Sequence, residues 1–117
     1  MYQYKEIEID ELPSRYDLRE LGQVTSVKDQ ETSGNCWAFT AMATIESCIL
    51  KASGEYYDFS EDNIKNLMAL YSDYGWEIET NEGGYDAMPV GYFASWLGPI
   101  NETEDPTDDK GMISPVL

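Results

Sequence analysis

The chain has 117 residues, enough for one domain or one lobe of a larger one, and its 42% hydrophobic and 13% aromatic content suffices for a packed core. With 23 acidic against 7 basic residues the net charge is −16, which excludes recognition of nucleic acid or an anionic membrane through a basic footprint. No apolar run reaches the roughly 18–20 residues of a membrane span, the N-terminus does not read as a basic-then-apolar leader, and no histidine with only two cysteines leaves no usual zinc ligand set. No metal and no cofactor are expected.

In chain order, Tyr4 to Ile9 alternates polar and apolar residues and predicts a short, half-exposed strand. Leu12-Pro13 breaks it. From there to Val27 the chain reads as irregular, with a single turn around Ser14 to Arg19 and with Leu18, Leu21, Val24 and Val27 as intermittent anchors.

The stretch from Lys28 to Leu50, KDQETSGNCWAFTAMATIESCIL, organises the rest. A polar, turn-prone segment ends in Ser33-Gly34-Asn35 and delivers Cys36 to a long run free of Gly and Pro that Gly54 stops. The run predicts a helix from Cys36 to Ser53, with Ile45, Cys48, Ile49 and Ala52 on its core face. Cys48 is then a packing residue, as free cysteines commonly are. A Cys36–Cys48 disulfide is ruled out by about 18 Å of intervening helix. A thiol in the first turn sits beside unpaired backbone N–H groups and the positive end of the helix dipole, both of which favour thiolate. Cys36 is therefore the candidate nucleophile.

Ser60 predicts an N-cap for a second helix, with Glu61 and Asp62 in its first turn and Ile64, Leu67, Met68 and Tyr71 on one apolar face. Ser72 to Glu82 has no period and reads as loop. Asp86 predicts the cap of a third helix that tolerates Pro89 in its first turn, buries Val90, Phe93, Ala94 and Leu97, and ends at Gly98-Pro99. Asn101 to Lys110 is acidic and reads as an exposed strand or linker.

Gln30, Ser33-Gly34-Asn35-Cys36-Trp37 and Ala38-Phe39 resemble the nucleophile motif of the papain-like cysteine peptidases. Leu12 to Arg19, Gly22 to Thr25, Val27 to Gln30, Phe59-Ser60-Glu61 and Gly83-Gly84-Tyr85 follow in the family's order, so the resemblance runs from about Leu12 to Pro106. It implies a mainly α chain, the left, helical lobe of a papain-like α+β cysteine peptidase fold. Residues 1–11 would be an arm, 12–106 the lobe, and 107–117 an acidic tail towards a C-terminal lobe.

By the same resemblance Cys36 attacks a peptide carbonyl to form a thioester acyl-enzyme, and Gln30, six residues earlier, stabilises the oxyanion. Gly34, Gly83 and Gly84 let a peptide substrate approach the backbone, and Tyr85 and Asp86 border the adjoining side-chain pocket. Asp86 there would favour a basic side chain, unless it is occupied in capping the third helix. The family's disulfide would join the places held here by Ser33 and Asn81, so another contact must replace it. Glu31 stands where the family commonly has glycine.

The catalytic histidine and asparagine of the family lie roughly 130–150 residues beyond the nucleophile. Only 81 residues follow Cys36, and none is histidine. The chain by itself thus lacks a general base, and a C-terminal lobe or a second polypeptide would supply it. The alternative is a catalytically inactive papain-like module that binds peptides or a partner. A transglutaminase-like acyl transferase is a third reading. An unpartnered lobe exposes apolar surface, so self-association is expected. Gly98-Pro99-Ile100-Asn101-Glu102 and Asp105-Pro106 are similar to bacterial and archaeal members that carry a lectin-like domain, which implies an extracellular or cell-surface protein of a prokaryote.

Overall fold

The computed structural model describes residues 11–107. The predicted strand at Tyr4 to Ile9 and the tail 108–117 lie outside them. Three helices carry the fold: α1 (Cys36–Ser53), α2 (Glu61–Leu67) and α3 (Ala87–Ala94). Among the described residues extended pairing is limited to one antiparallel bridge, Phe59 with Asn101. The core is Ala38 and Met42 of α1, Phe59, Ile64, Leu67 and Met68 around α2, and Met88 and Tyr92 of α3.

α1 begins and ends where the sequence predicts. Gly54 takes the left-handed conformation (φ 75°) and its N–H donates to the Leu50 carbonyl, the usual glycine stop. Its buried stripe is different, however. Ala38, Met42 and Glu46 recur every four residues and are buried, while Ile45 and Ile49 pack against the edge of the core. Cys48 and Ala52 are exposed. Cys48 stands two residues beyond Glu46, nearly the opposite side of a helix, so burying one exposes the other. The assignment of Cys48 to packing is thereby corrected.

α2 opens on Ser60, whose Oγ accepts the Asn63 N–H at 3.0 Å, the predicted cap. All seven of its residues are buried, including an Asp62–Lys65 ion pair at 2.8 Å. Ile64, Leu67 and Met68 face the core as expected, but the helix stops before Tyr71, which is half exposed. The chain beyond is stitched to the helix end by the Trp76 N–H to the Met68 carbonyl and the Leu70 N–H to the Ile78 carbonyl, both at 2.9 Å.

α3 accommodates Pro89 in its first turn, but Met88 and Tyr92 form its buried face. Val90 is 67% exposed and Ala94 is exposed; Phe93 and Leu97 are half buried. Tyr92 takes this side because its hydroxyl donates to Asn63 Oδ1 at 2.6 Å, inside the core. A Cβ on Gly98 would come within 1.7 Å of that hydroxyl, so only glycine fits there.

Two further readings are corrected. Val27 is 90% exposed and Leu21 and Leu18 are 49% and 40% exposed, so of the four proposed anchors only Val24 is half buried. The turn in this region lies at Asp17 to Gln23, closed by the Gly22 N–H to the Arg19 carbonyl and the Gln23 N–H to the Leu18 carbonyl. Residues 101–107 are also no free linker. Ser60 N–H donates to the Ile100 carbonyl, Glu102 N–H to the Asp58 carbonyl, and Ser60 Oγ to the Asp105 carbonyl, which lays the segment along the start of α2.

Candidate active site

Cys36 is the first residue of α1 and is exposed. The stripe Ala38, Met42 and Glu46 fixes this helix in the core and leaves the thiol at a rigid, open end. Thr40 Oγ1 donates to the Cys36 carbonyl at 2.9 Å, and the Asn35 carbonyl accepts the Ala38 N–H at 2.9 Å. The Cys36 N–H lies in the first turn, where helix geometry offers it no intrahelical acceptor.

Gln30 folds back on its own loop. Its Nε2 donates to the Ser33 carbonyl at 2.7 Å while the Ser33 N–H returns to the Gln30 carbonyl at 3.1 Å. One of the two amide protons is thereby held, and the other is a spare donor. Glu31 sits in the left-handed region at φ 51°, which explains physically why glycine suits this position. Its N–H donates to Asp29 Oδ1 at 2.8 Å, tightening the same turn.

The far wall comes from residues 81–86. Asn81 Oδ1 accepts from Ser33 Oγ at 3.1 Å and from the Gly34 N–H. A Cβ on Gly34 would lie 2.3 Å from the Asn81 carbonyl oxygen, so the two loops close only because position 34 is glycine. Gly83 takes φ 85°, and a Cβ on Gly84 would lie 2.6 Å from the Trp37 indole. The backbone at Gly84 therefore lies on the ring of Trp37, the residue that follows Cys36. Tyr85 is exposed, with its N–H directed at Met88 Sδ at 3.3 Å. Asp86 occupies the N-cap of α3, yet its side chain makes no capping hydrogen bond. The capping role assigned to it is corrected.

A network beneath the site went unread in the sequence. Lys28 Nζ lies 3.2 Å from Glu46 Oε1, 2.6 Å from Asp58 Oδ1, 2.7 Å from Glu61 Oε1 and 3.1 Å from the Phe59 carbonyl. Glu46 also accepts from Thr25 Oγ1 at 2.6 Å and from the Phe59 N–H at 2.8 Å. Burial pulls the Lys28 ammonium down, but its bonds to Asp58 and Glu61 and the charges of Glu61 and Glu46 outweigh that and hold it above its ordinary range. Burial pushes the Glu61 carboxyl up despite Lys28. The available signal was a lone charge, Glu46, inside an otherwise uncharged helical run from Cys36 to Leu50.

The family model of papain family cysteine proteases matches residues 12–95. The chain belongs to the papain family of cysteine proteases. It is 35% identical over 85 residues to a low-temperature-induced cysteine proteinase of tomato, covering 66% of this chain and 25% of the relative. To ananain of pineapple it is 35% identical over 68 residues, 58% of this chain and 20% of the relative. The clostridial cysteine protease Cwp84 superposes with a TM-score of 0.76 at 28% identity, over 81% of this chain and 23% of that one. The pineapple bromelain protease superposes with a TM-score of 0.68 at 30% identity, over 84% and 42%. The chain thus spans about a quarter of the length of these curated relatives, and its helices match the helical lobe of the papain fold. The similarity to Cwp84, which another of its structures describes with a lectin-like domain, agrees with the lectin-bearing branch suggested by the motifs after Gly98.

No group of His, Cys, Asp and Glu among the described residues has the arrangement to hold a metal. No helix among them is long and apolar enough to cross a membrane.

Proposed function

We propose that this chain is the nucleophile-bearing lobe of a cysteine peptidase and acts on peptide or protein substrates. The reading is supported by exposed Cys36 at the start of α1, by the Gly84 backbone laid on the ring of the next residue, Trp37, and by Gln30 bonded to the Ser33 carbonyl three residues before the thiol. In this reading a peptide lies along Gly83 and Gly84, while Gly34 lets the Asn81 loop close against the start of α1 instead of opening an approach for the substrate. The Cys36 thiolate attacks the carbonyl carbon, and the oxyanion is met by the spare Gln30 proton and the Cys36 N–H. The C–N bond then breaks, the amine leaves with a proton from the general acid, and water hydrolyses the thioester.

The general base is histidine oriented by asparagine, supplied by polypeptide beyond the lobe 12–106 and its tail 107–117, since the chain has no histidine. The face prepared for that partner is a groove of about 420 Å³ beside α1, where Val24, Val27, Phe39 and Ala43 present apolar surface. Left uncovered, the same face drives self-association. The reading places the protein outside the cell or at its surface, on the likeness to a surface layer associated protein. Its relatives include plant, mite and mosquito enzymes, so a prokaryotic source is not part of the proposal.

The test is covalent labelling by a peptidyl epoxide, read by mass, on this chain alone and on the polypeptide that adds the histidine-bearing part. Exposed Cys48 is the internal control. Rapid labelling confined to Cys36 and dependent on the added part supports the peptidase. Labelling of Cys36 no faster than of Cys48 in both would leave a peptide-binding module in its place.

A further inference from the structure

The chain has five asparagines, and only Asn101 opens an Asn-x-Ser/Thr tripeptide, Asn101-Glu102-Thr103. Where the middle residue is not proline, this tripeptide is the acceptor for N-linked oligosaccharide on the surface of exported proteins. The fold sorts the asparagines in the same way. Asn35, Asn63 and Asn66 are buried, whereas Asn101 and Thr103 are both exposed.

A turn presents the tripeptide. The Glu104 N–H donates to the Asn101 carbonyl and the Asn101 N–H returns to Glu104 Oε2, both at 3.0 Å. On either side the backbone is tied down, by the Ser60 N–H to the Ile100 carbonyl and the Glu102 N–H to the Asp58 carbonyl. Asparagine is favoured at the first position of such a turn, and that preference accounts for Asn101 by itself. It does not account for Thr103. The Thr103 hydroxyl has no hydrogen bond among the described residues, and its side chain stands outside the core.

The Asn101 carboxamide is also held in a way that suits modification. Its Nδ2 donates to Glu104 Oε2 at 3.2 Å. That nitrogen carries two hydrogens, so one keeps the Glu104 bond while the other is replaceable by a sugar carbon. The folded turn therefore tolerates the modified residue. Asn101 pairs with Phe59, whose N–H donates to Glu46 Oε1. Glu46 lies ten residues along α1 from Cys36, about 15 Å at the helical rise. A glycan at Asn101 is thus rooted away from the first turn of α1.

We propose that Asn101 carries an N-linked oligosaccharide. This rests on the reading that places the protein outside the cell. In the transfer, the Asn101 amide nitrogen attacks the anomeric carbon of a lipid-linked oligosaccharide. A C–N bond replaces one N–H bond, the sugar–phosphate bond breaks, the lipid phosphate leaves with the electron pair, and the proton passes to a base of the transferase.

The experiment is mass spectrometry of the protein collected from outside the cells of its source organism. We expect most copies of the peptide containing Asn101 to carry sugar, with fragment ions that retain the first sugar on Asn101. Unmodified Asn101 in that protein overturns the proposal and leaves the peptidase reading and the location standing. If the protein is found only inside cells, the location reading fails. The site is then judged by translating the polypeptide behind a secretion leader into membrane vesicles that hold an oligosaccharyltransferase. A single gain in mass that is lost in Asn101→Gln and in Thr103→Ala, but kept in Thr103→Ser, upholds Asn101 as an acceptor. No gain removes it.

Discussion

Ser33 and Asn81 are joined by a hydrogen bond, Ser33 Oγ to Asn81 Oδ1 at 3.1 Å, across 48 residues of sequence. The same Asn81 oxygen accepts the Gly34 N–H. This carboxamide holds the loop before Cys36 to the Gly83-Gly84 segment at the places where the papain resemblance sets a disulfide.

Removing that clasp in Asn81→Ala deletes two hydrogen bonds and should cost about 1–2 kcal/mol. The double variant Ser33→Cys with Asn81→Cys closes a loop worth about 4 kcal/mol in the chain-entropy model, offset by the lost hydrogen bonds. Urea midpoints under oxidising conditions should therefore rise for the double variant and return below wild type when reductant is added. An oxidised midpoint at or below wild type would mean that the two loops are not placed to accept the bridge.

Lys28 is the hub between α1 and α2. Lys28→Met leaves Glu46 and Glu61, each 1% exposed, without their common cation. Breaking a buried ion pair from one side costs about 3–5 kcal/mol. Denaturant unfolding of Lys28→Met should show a loss of that order, with Lys28→Arg much milder. A loss below 1 kcal/mol would show that water screens the cluster.

Gly84→Ala tests the contact that brings the Gly83-Gly84 segment to α1. Its methyl group meets the Trp37 indole at 2.6 Å, and displacing a packed ring costs about 1–3 kcal/mol. Gly91→Ala meets nothing within 4 Å and is the control. Thermal melting should separate the two variants, and equal melting temperatures would count against the tight Gly84–Trp37 contact.

Glu102 sets a pH dependence whose sign is unusual for a carboxylate. Burial pushes its carboxyl up, outweighing the Thr107 N–H and hydroxyl that it accepts, with Asp58 nearby adding to the rise. A folded-state value raised above the unfolded one of about 4.3 means that the folded chain binds the extra proton. Stability from this group is complete below that pH and is lost as pH rises through the folded value. Glu102→Gln should therefore match wild type near pH 4 and be the more stable form at pH 7. A variant less stable than wild type at pH 7, or a difference that does not change with pH, would overturn the assignment.

The sequence by itself determined what rests on local chemistry. The bounds of α1, the Ser60 cap and the place of Pro89 follow from dihedral preferences and hydrogen bonds between near neighbours, and those signals are written in consecutive residues. The nucleophile motif and the order of the glycines were legible for the same reason. Tertiary structure decided which faces turn inwards. Cys48 and Val27 look apolar and lie outside, whereas Glu46, Glu61 and Lys65 carry charge and lie inside, because a charge becomes tolerable in a core once partners from distant segments surround it. Lys28 meets Glu61 across 33 residues and Ser33 meets Asn81 across 48. Pairings of that reach leave no periodicity in the chain, and only the packed helices bring them together.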